Sequence, residues 1–396
     1  MIVVTKILLN LRHTFMSTNE TENNDKTSNL KPMDDLDGSK MKEEGDKCFN
    51  QKDYLKAMLY YKKACQKHNS EALYQIGLIF HVILEVNRDF DKALNYYLEA
   101  AFYGYYEALL RIQNLFENNL KIKIDEERPL KYFEEKKDIS SNAIVGIGFL
   151  YANGLGVQND YSKAMDYFFQ AAEKENPFSI NHIGFFYRHG SGVQQDFSKA
   201  MEYYLKAVEK GSTHAMNNIG FLYQNGLGYP RDYPKALEYY AKAAEKGNPS
   251  AICNIGYLYE DGLGVQQDYS KALEYYAKAG EKGNPTGYYN AASLLENGNH
   301  IPQDLSTAFK YFSKASLMGD IDALFQIGYY YENGYGVNQD FSKAIEYYLE
   351  AAEKGNSRAL SNLEQLYESG NGVNFLENAA SMGNIIAQNI INENDE

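Results

Sequence analysis

The sequence lacks tryptophan, has only three cysteines among its 396 residues, and contains no long apolar run. Cys48, Cys65 and Cys253 form an odd set without a Cys-x-x-Cys pair, which argues against both a disulfide framework and a zinc site. No segment approaches the 18 uninterrupted apolar residues that a bilayer span requires, so we predict no integral membrane segment. A reducing compartment, the cytoplasm, fits these absences best.

Positively charged residues are fewer than negatively charged ones. The chain has 39 Lys and Arg residues against 53 Asp and Glu residues, and its formal net charge is −14. The resulting field repels polyphosphates, so we predict that the protein binds no nucleic acid.

Catalytic signatures are also missing. The sequence has no H-E-x-x-H, no G-x-x-x-x-G-K-[ST] and no G-x-S-x-G motif, which are the commonest marks of hydrolases and nucleotide-binding proteins. His182 and His189 lie two helical turns apart, too far for an easy shared metal ion. We therefore predict no enzyme activity and no catalytic, cofactor-binding or metal-ligating residues.

The N-terminal segment differs in composition from the rest of the chain. Residues 17–40 are rich in Asn, Thr, Ser, Asp, Glu and Lys, and such a segment cannot bury enough apolar surface to offset its ordering entropy. We predict that residues 1–38 form a disordered or targeting tail. An organellar targeting segment and a translation start at Met16 rather than Met1 both stay open.

An internal repeat dominates the remaining sequence. The pairs Ile147-Gly148, Ile183-Gly184, Ile219-Gly220 and Ile255-Gly256 follow one another at intervals of 36 residues. The 36 tyrosines and 20 phenylalanines, without a single tryptophan, are typical of one motif copied many times. The periodicity predicts about ten repeats over residues 39–392, followed by an acidic C-terminal tail over residues 393–396.

Each repeat has the pattern of a helical hairpin. In residues 250–284, Ile255 and Tyr259 lie on one apolar helical stripe, and Gly256 on the same stripe allows a neighbouring helix to approach closely. Gly262 fits the left-handed end of this first helix, and Asp268 fits the N-cap of a second one. The same N-cap role is predicted for Asp160, Asp196, Asp232, Asp304 and Asp340.

One hairpin cannot bury its own apolar face, whereas stacked hairpins share a continuous core. We therefore predict an all-α fold, a right-handed α-solenoid superhelix of about ten helix-turn-helix repeats. The stacking of small units explains how a chain without a long apolar run can still bury a large core.

The repeat resembles the Sel-1-like repeat family, relatives of the tetratricopeptide repeats. The resemblance is carried by Ala-x-x-Asn-Ile-Gly-x-x-Tyr, Gly-x-Gly-Val, Asp-Tyr-x-Lys-Ala and Tyr-Tyr-x-Lys-Ala-Ala-Glu-Lys-Gly-Asn, recurring from about Ser70 to Gly383. It implies a non-catalytic scaffold or adaptor that binds partner proteins or peptides along a concave groove. Two alternatives stay open, namely a soluble adaptor in ER-associated protein quality control and an enzyme of the family's β-lactamase-like branch.

The first helix of each repeat supplies the candidate binding residues. Aromatic residues stand two positions after the anchor isoleucines, and polar residues that become acidic toward the C-terminus stand three positions further on. Such a groove suits a basic, partly apolar peptide. The predicted partner-binding residues are Phe149, Phe185, Arg188, Phe221, Gln224, Tyr257, Glu260, Tyr329 and Glu332. Alternatively, the aromatics pack between repeats and the acids form a solvated face.

Overall fold

The computed structural model describes residues 37–51, 53–67, 69–83, 89–117, 125–298 and 300–394. These residues form 21 α-helices and one short π-helical turn, Ile79–Ile83, and they contain no β-strand. The predicted all-α fold is confirmed. The tail predicted for residues 1–38 lies outside the described residues except at its last two positions, and so do the final two residues of the predicted C-terminal tail.

The chain divides into two compact units, residues 1–167 and 168–396. The first unit contains α1 Gly38–Asn50, α2 Tyr54–Cys65, α3 Ser70–Leu78, α4 Phe90–Phe102, α5 Glu107–Glu117, α6 Arg128–Glu134 and α7 Ser141–Asn153. The division falls within α8, Tyr161–Glu173.

The second unit contains five regular hairpins and a shorter end. Its helices are α9 Pro177–His189, α10 Phe197–Glu209, α11 Thr213–Asn225, α12 Tyr233–Glu245, α13 Pro249–Asp261, α14 Tyr269–Glu281, α15 Pro285–Asn297, α16 Leu305–Leu317, α17 Ile321–Asn333, α18 Phe341–Glu353, α19 Ser357–Glu368, α20 Val373–Ser381 and α21 Ile385–Asn394. Each odd-numbered helix from α9 to α17 packs on the next helix, which in turn packs on the first helix of the following hairpin.

Local chemistry sets the ends of these helices. In the hairpin of α13 and α14, the Asn248 side chain accepts a hydrogen bond from the Ala251 N–H at 2.9 Å, and Gly262 ends α13 with φ of 67°. The Asp268 carboxylate then accepts from the Lys271 N–H at 3.0 Å and begins α14. The predicted aspartate N-caps are all confirmed, because Asp160, Asp196, Asp232, Asp304 and Asp340 make the equivalent bonds.

A glycine against a buried tyrosine ring holds the two helices of a hairpin together. The ring of Tyr276, on α14, is fully buried, and a Cβ added to Gly256 would lie 2.8 Å from its carbons. No side chain fits there, which confirms the predicted close approach at this glycine. The same contact recurs between Gly184 and Tyr204, Gly220 and Tyr240, and Gly328 and Tyr348.

A second aromatic contact also recurs within each hairpin. The rings of Tyr259 and Tyr275 stack with their centroids 5.6 Å apart, and the Lys271 ammonium lies 5.1 Å from the Tyr259 centroid. Equivalent stacked pairs are Tyr187 with Tyr203, Tyr223 with Tyr239, and Tyr331 with Tyr347. These contacts explain why tyrosine recurs at fixed positions of the repeat.

The first unit follows the same scheme less regularly. Its helix α4 packs on α3 and α5 and also touches α7. Helix α6 has seven residues, and its Phe133 ring packs against a glycine of the following helix, since a Cβ on Gly146 would lie 2.7 Å from this ring. No helix among the described residues of either unit is long and apolar enough to cross a bilayer.

Candidate functional site

Four of the predicted aromatic residues occupy the same position on first helices of the second unit. Phe185, Phe221 and Tyr329 are half-buried, and Tyr257 is 41% exposed. Phe149 belongs to the first unit and is only 5% exposed, so it is not part of this surface. We call the remaining eight predicted residues the first-helix face: Phe185, Arg188, Phe221, Gln224, Tyr257, Glu260, Tyr329 and Glu332.

The polar residues of this face have a structural role that the sequence pattern did not indicate. The carboxylate of Glu260 accepts a hydrogen bond from the Tyr276 hydroxyl at 2.5 Å, across the hairpin. The carboxylate of Glu332 accepts likewise from Tyr348 at 2.5 Å, and the side-chain oxygen of Gln224 accepts from Tyr240 at 2.7 Å. In each case the tyrosine that packs on the helix glycine finds its acceptor 16 residues earlier in the chain.

Electrostatics keep these hydroxyl groups protonated. Burial raises the pKa of Tyr276, and its hydrogen bond to the Glu260 carboxylate raises it further. The Tyr276 hydroxyl is therefore a permanent donor at neutral pH. A carboxylate has about four acceptor positions, so one tyrosine bond leaves Glu260 and Glu332 able to accept further donors.

Arg188 departs from this arrangement. Its guanidinium lies 5.2 Å from the ring centroid of Phe185 and 4.7 Å from that of Phe221, on the next first helix. Its Nε–H also donates to Nε2 of His189 at 3.1 Å. One cation thus lies between two aromatic rings at the N-terminal end of the face.

Asparagine side chains join successive first helices beside the aromatic row. The Asn218 amide donates to the Asn181 side-chain oxygen at 2.9 Å, and the Asn254 amide donates to the Asn217 oxygen at 2.9 Å. Each amide carries two N–H donors and an oxygen with two lone pairs, so these bonds leave hydrogen-bonding capacity unused. All four side chains are buried or half-buried.

A second histidine of α9, His182, packs against aromatic rings. His182 lies with its ring centroid 4.3 Å from that of Phe178 and 5.0 Å from that of Phe168. Burial lowers the pKa of His182 to about 3, so it is neutral at physiological pH. Within the described ranges, no three His, Cys, Asp or Glu side chains come together as metal ligands could, and all three cysteines are free thiols.

Comparison with protein families finds one match. The family model described as Sel1 repeat matches eight segments, residues 38–69, 70–101, 141–176, 177–212, 213–248, 249–284, 285–320 and 321–356. The matched segments include every residue of the first-helix face. Comparison with the curated proteins yields no match.

Several solved structures are similar to this chain. A Sel1 repeat protein from Oxalobacter formigenes is 32% identical over 58% of this chain and 94% of its own, with a TM-score of 0.50. The protein c5321, a protective antigen present in uropathogenic Escherichia coli strains and displaying an SLR fold, is 24% identical over 91% of this chain and 88% of its own, with a TM-score of 0.38.

Proposed function

Since this chain belongs to the Sel1 repeat family, we propose that it is a non-catalytic scaffold that holds a protein partner along the first-helix face of its second unit. Proteins built from Sel1 repeats are commonly interaction scaffolds that bind other proteins. The proposal for this chain goes further, because it assigns a surface and a chemistry to the partner.

The observation that carries the proposal is the partial exposure of one aromatic row. The tyrosines that pack on the helix glycines are fully buried, whereas Phe185, Phe221, Tyr257 and Tyr329 keep part of their rings accessible at equivalent positions. Large rings offer contact area at a low cost in side-chain entropy, and they are enriched where binding energy concentrates. The asparagine pairs beside the row supply polar groups that suit a peptide backbone.

The acidic residues of the first-helix face indicate which charge a partner should carry where it contacts the C-terminal hairpins. Glu260 and Glu332 each accept a hydrogen bond from a tyrosine, Glu332 also accepts one from the Asn362 amide, and both carboxylates have further acceptor positions. A segment with basic side chains separated by apolar ones complements this part of the face. Its affinity would be the sum of many shallow contacts rather than of one deep pocket.

A cytoplasmic location is part of the proposal. Cys48 and Cys253 are buried free thiols, and burial raises the pKa of Cys253 to about 12. Such thiols are unreactive and need no oxidising compartment. Cell fractionation that recovered the protein in an oxidising compartment would contradict this part.

The test is affinity capture from the native cell with the full chain as bait. We compare the wild type with the triple variant Phe185→Ala, Phe221→Ala and Tyr257→Ala. A protein captured by the wild type and lost with the variant, while helicity and melting stay unchanged, supports the proposal.

A matched control removes exposed apolar side chains elsewhere in the same unit. Phe169, Leu205 and Leu317 lie on second helices and are 37%, 41% and 57% exposed. The triple alanine variant of these residues should capture the same protein as the wild type. Loss of capture with this variant, but not with the first-helix variant, would place the binding surface on the second helices and overturn the proposal.

A further inference from the structure

One hairpin of the second unit leaves its buried tyrosine hydroxyl without an acceptor. In the hairpin of α9 and α10, the position 16 residues before Tyr204 is Arg188, whereas the equivalent positions hold Gln224, Glu260 and Glu332. Arginine has five N–H donors and no acceptor. The Tyr204 side chain is 0% exposed, and its hydroxyl has no hydrogen-bond partner.

The Tyr204 hydroxyl lies on the side of the hairpin where the other tyrosines find their acceptors. Its ring packs on Gly184 as the other rings pack on their glycines, with a Cβ on Gly184 lying 2.7 Å away, so the hydroxyl points toward the same place. Burial raises the pKa of Tyr204, and the positive charge of Arg188 opposes that rise. The same charge acts on Tyr240 of the next hairpin. Arg188 therefore lies close to both tyrosines.

Among the described residues, one other buried side-chain hydroxyl lacks a partner. It belongs to Tyr330, whose pKa is raised by burial and by the nearby carboxylate of Glu296. An acceptor is thus already beside Tyr330. Tyr204 differs from Tyr330, because no carboxylate acts on its hydroxyl.

Arg188 also lacks an anionic partner of its own. Its contacts within the described residues are the two phenylalanine rings, the ring nitrogen of His189 and a backbone bond from Gln195, and no carboxylate reaches it. A half-buried guanidinium is most stable when its planar fork is paired with a carboxylate. The site therefore combines a cation with aromatic walls, and the group missing from it is an anionic acceptor.

We propose that Arg188, which lies between the rings of Phe185 and Phe221 and pairs with no carboxylate of the described residues, binds a carboxylate of the partner peptide. This inference rests on the proposed function and adds the partner's chemistry to it. A carboxylate fits better than a phosphate because the protein carries a net charge of −14, which repels a dianion more strongly than a single charge. The partner would then bind in one direction, with its carboxylate at α9 and its basic side chains toward Glu260 and Glu332.

The experiment probes the full chain with an array of short peptides in three matched sets. The first set has a free C-terminal carboxylate and no acidic side chain, the second has a C-terminal amide and one glutamate, and the third has a C-terminal amide and no acid. We expect the wild type to bind the first or the second set about ten-fold more tightly than the third, as a bidentate arginine contact provides. The first two sets distinguish a chain terminus from an acidic side chain as the source of the carboxylate.

The decisive variant is Arg188→Gln, which gives this hairpin the residue found at position 224. It should lose the preference for carboxylate peptides and melt at a higher temperature, because the glutamine oxygen accepts from Tyr204 as Gln224 accepts from Tyr240. The control Arg231→Gln removes an exposed arginine between α11 and α12, outside the first-helix face, and should keep the preference.

The possible failures are distinguishable. Binding that ignores the carboxylate, or that persists unchanged in Arg188→Gln, overturns this inference while the proposed function stands, provided that the triple variant of Phe185, Phe221 and Tyr257 abolishes binding. A lower melting temperature for Arg188→Gln would show Arg188 to be a structural residue and would also overturn it. Failure of the wild type to bind any set overturns both proposals.

Discussion

The hairpin of α9 and α10 and the hairpin of α13 and α14 share their framework and differ at one decisive position. Both have an Asn cap, a glycine against a buried tyrosine ring, and an Asp that begins the second helix. Tyr276 finds its acceptor in Glu260, whereas the equivalent position before Tyr204 is Arg188 and the Tyr204 hydroxyl has no partner. The two hairpins thus share the ring contact but not the hydroxyl bond, so the residue 16 positions before the tyrosine varies at a cost in stability.

The largest expected effect comes from disrupting the contact between glycine and tyrosine ring that the two hairpins share. Gly256→Ala and Gly184→Ala each place a Cβ within 2.8 Å of a buried tyrosine ring, and overpacking of this kind costs about 1–3 kcal/mol. We expect similar losses in both hairpins when the free energy of unfolding is measured in urea. The control Glu274→Ala, at an exposed position of α14, should change it by less than about 0.5 kcal/mol. A loss confined to one hairpin would show that the ring contact is not a common framework.

An intermediate effect concerns His182, which stands where the other hairpins have Asn218 and Asn254. Burial lowers its pKa in the folded chain to about 3, against about 6.5 when unfolded. The unfolded chain therefore binds the proton more readily, and this stability is present above pH 6.5 and is lost as the pH falls toward 3. Between pH 6.5 and 5, we expect the wild type to lose up to about 2 kcal/mol more than His182→Asn. Parallel urea midpoints for the two proteins over this range would contradict the assignment.

The smallest expected effect is the most direct test of how the two hairpins differ in the hydrogen bonding of their buried tyrosines. Tyr276→Phe removes a donor from the Glu260 carboxylate and should destabilise the chain by about 1 kcal/mol, whereas Tyr204→Phe removes an unpaired hydroxyl and should be neutral or stabilising. In the background of Arg188→Gln, the change Tyr204→Phe should become destabilising, because the hydroxyl then has an acceptor. A double-mutant cycle of unfolding free energies measures this coupling. Equal losses for both single changes would mean that Tyr204 is already paired.

The helices and their ends could be predicted from the sequence because their chemistry is local. Gly262 and Asp268 act within one turn of their own position, so the residue type alone indicates the structure. The close approach at Gly256 also followed from a glycine on an apolar stripe. The handedness of the superhelix stays a prediction.

The candidate site could be predicted only in part. The bond from Tyr276 to Glu260 crosses from one helix to another, and helical periodicity says nothing about such a pairing. A signal was present in the constant interval of 16 residues between acceptor and tyrosine. The burial of Phe149 could not be predicted, because Phe185 and Phe221 have the same residue type at the same repeat position and only the packing around them differs.

The caps of the repeats have a consequence for how this chain can change in length. Lys246-Gly247-Asn248-Pro249 and Lys282-Gly283-Asn284-Pro285 are identical junctions, and Asn248 and Asn284 cap their helices with the same bond. Recombination between them would excise one complete hairpin and rejoin the chain with every helix end intact. Genetic exchange can therefore shorten or lengthen the array in steps of 36 residues. The number of repeats can thus change while the fold of each repeat stays the same.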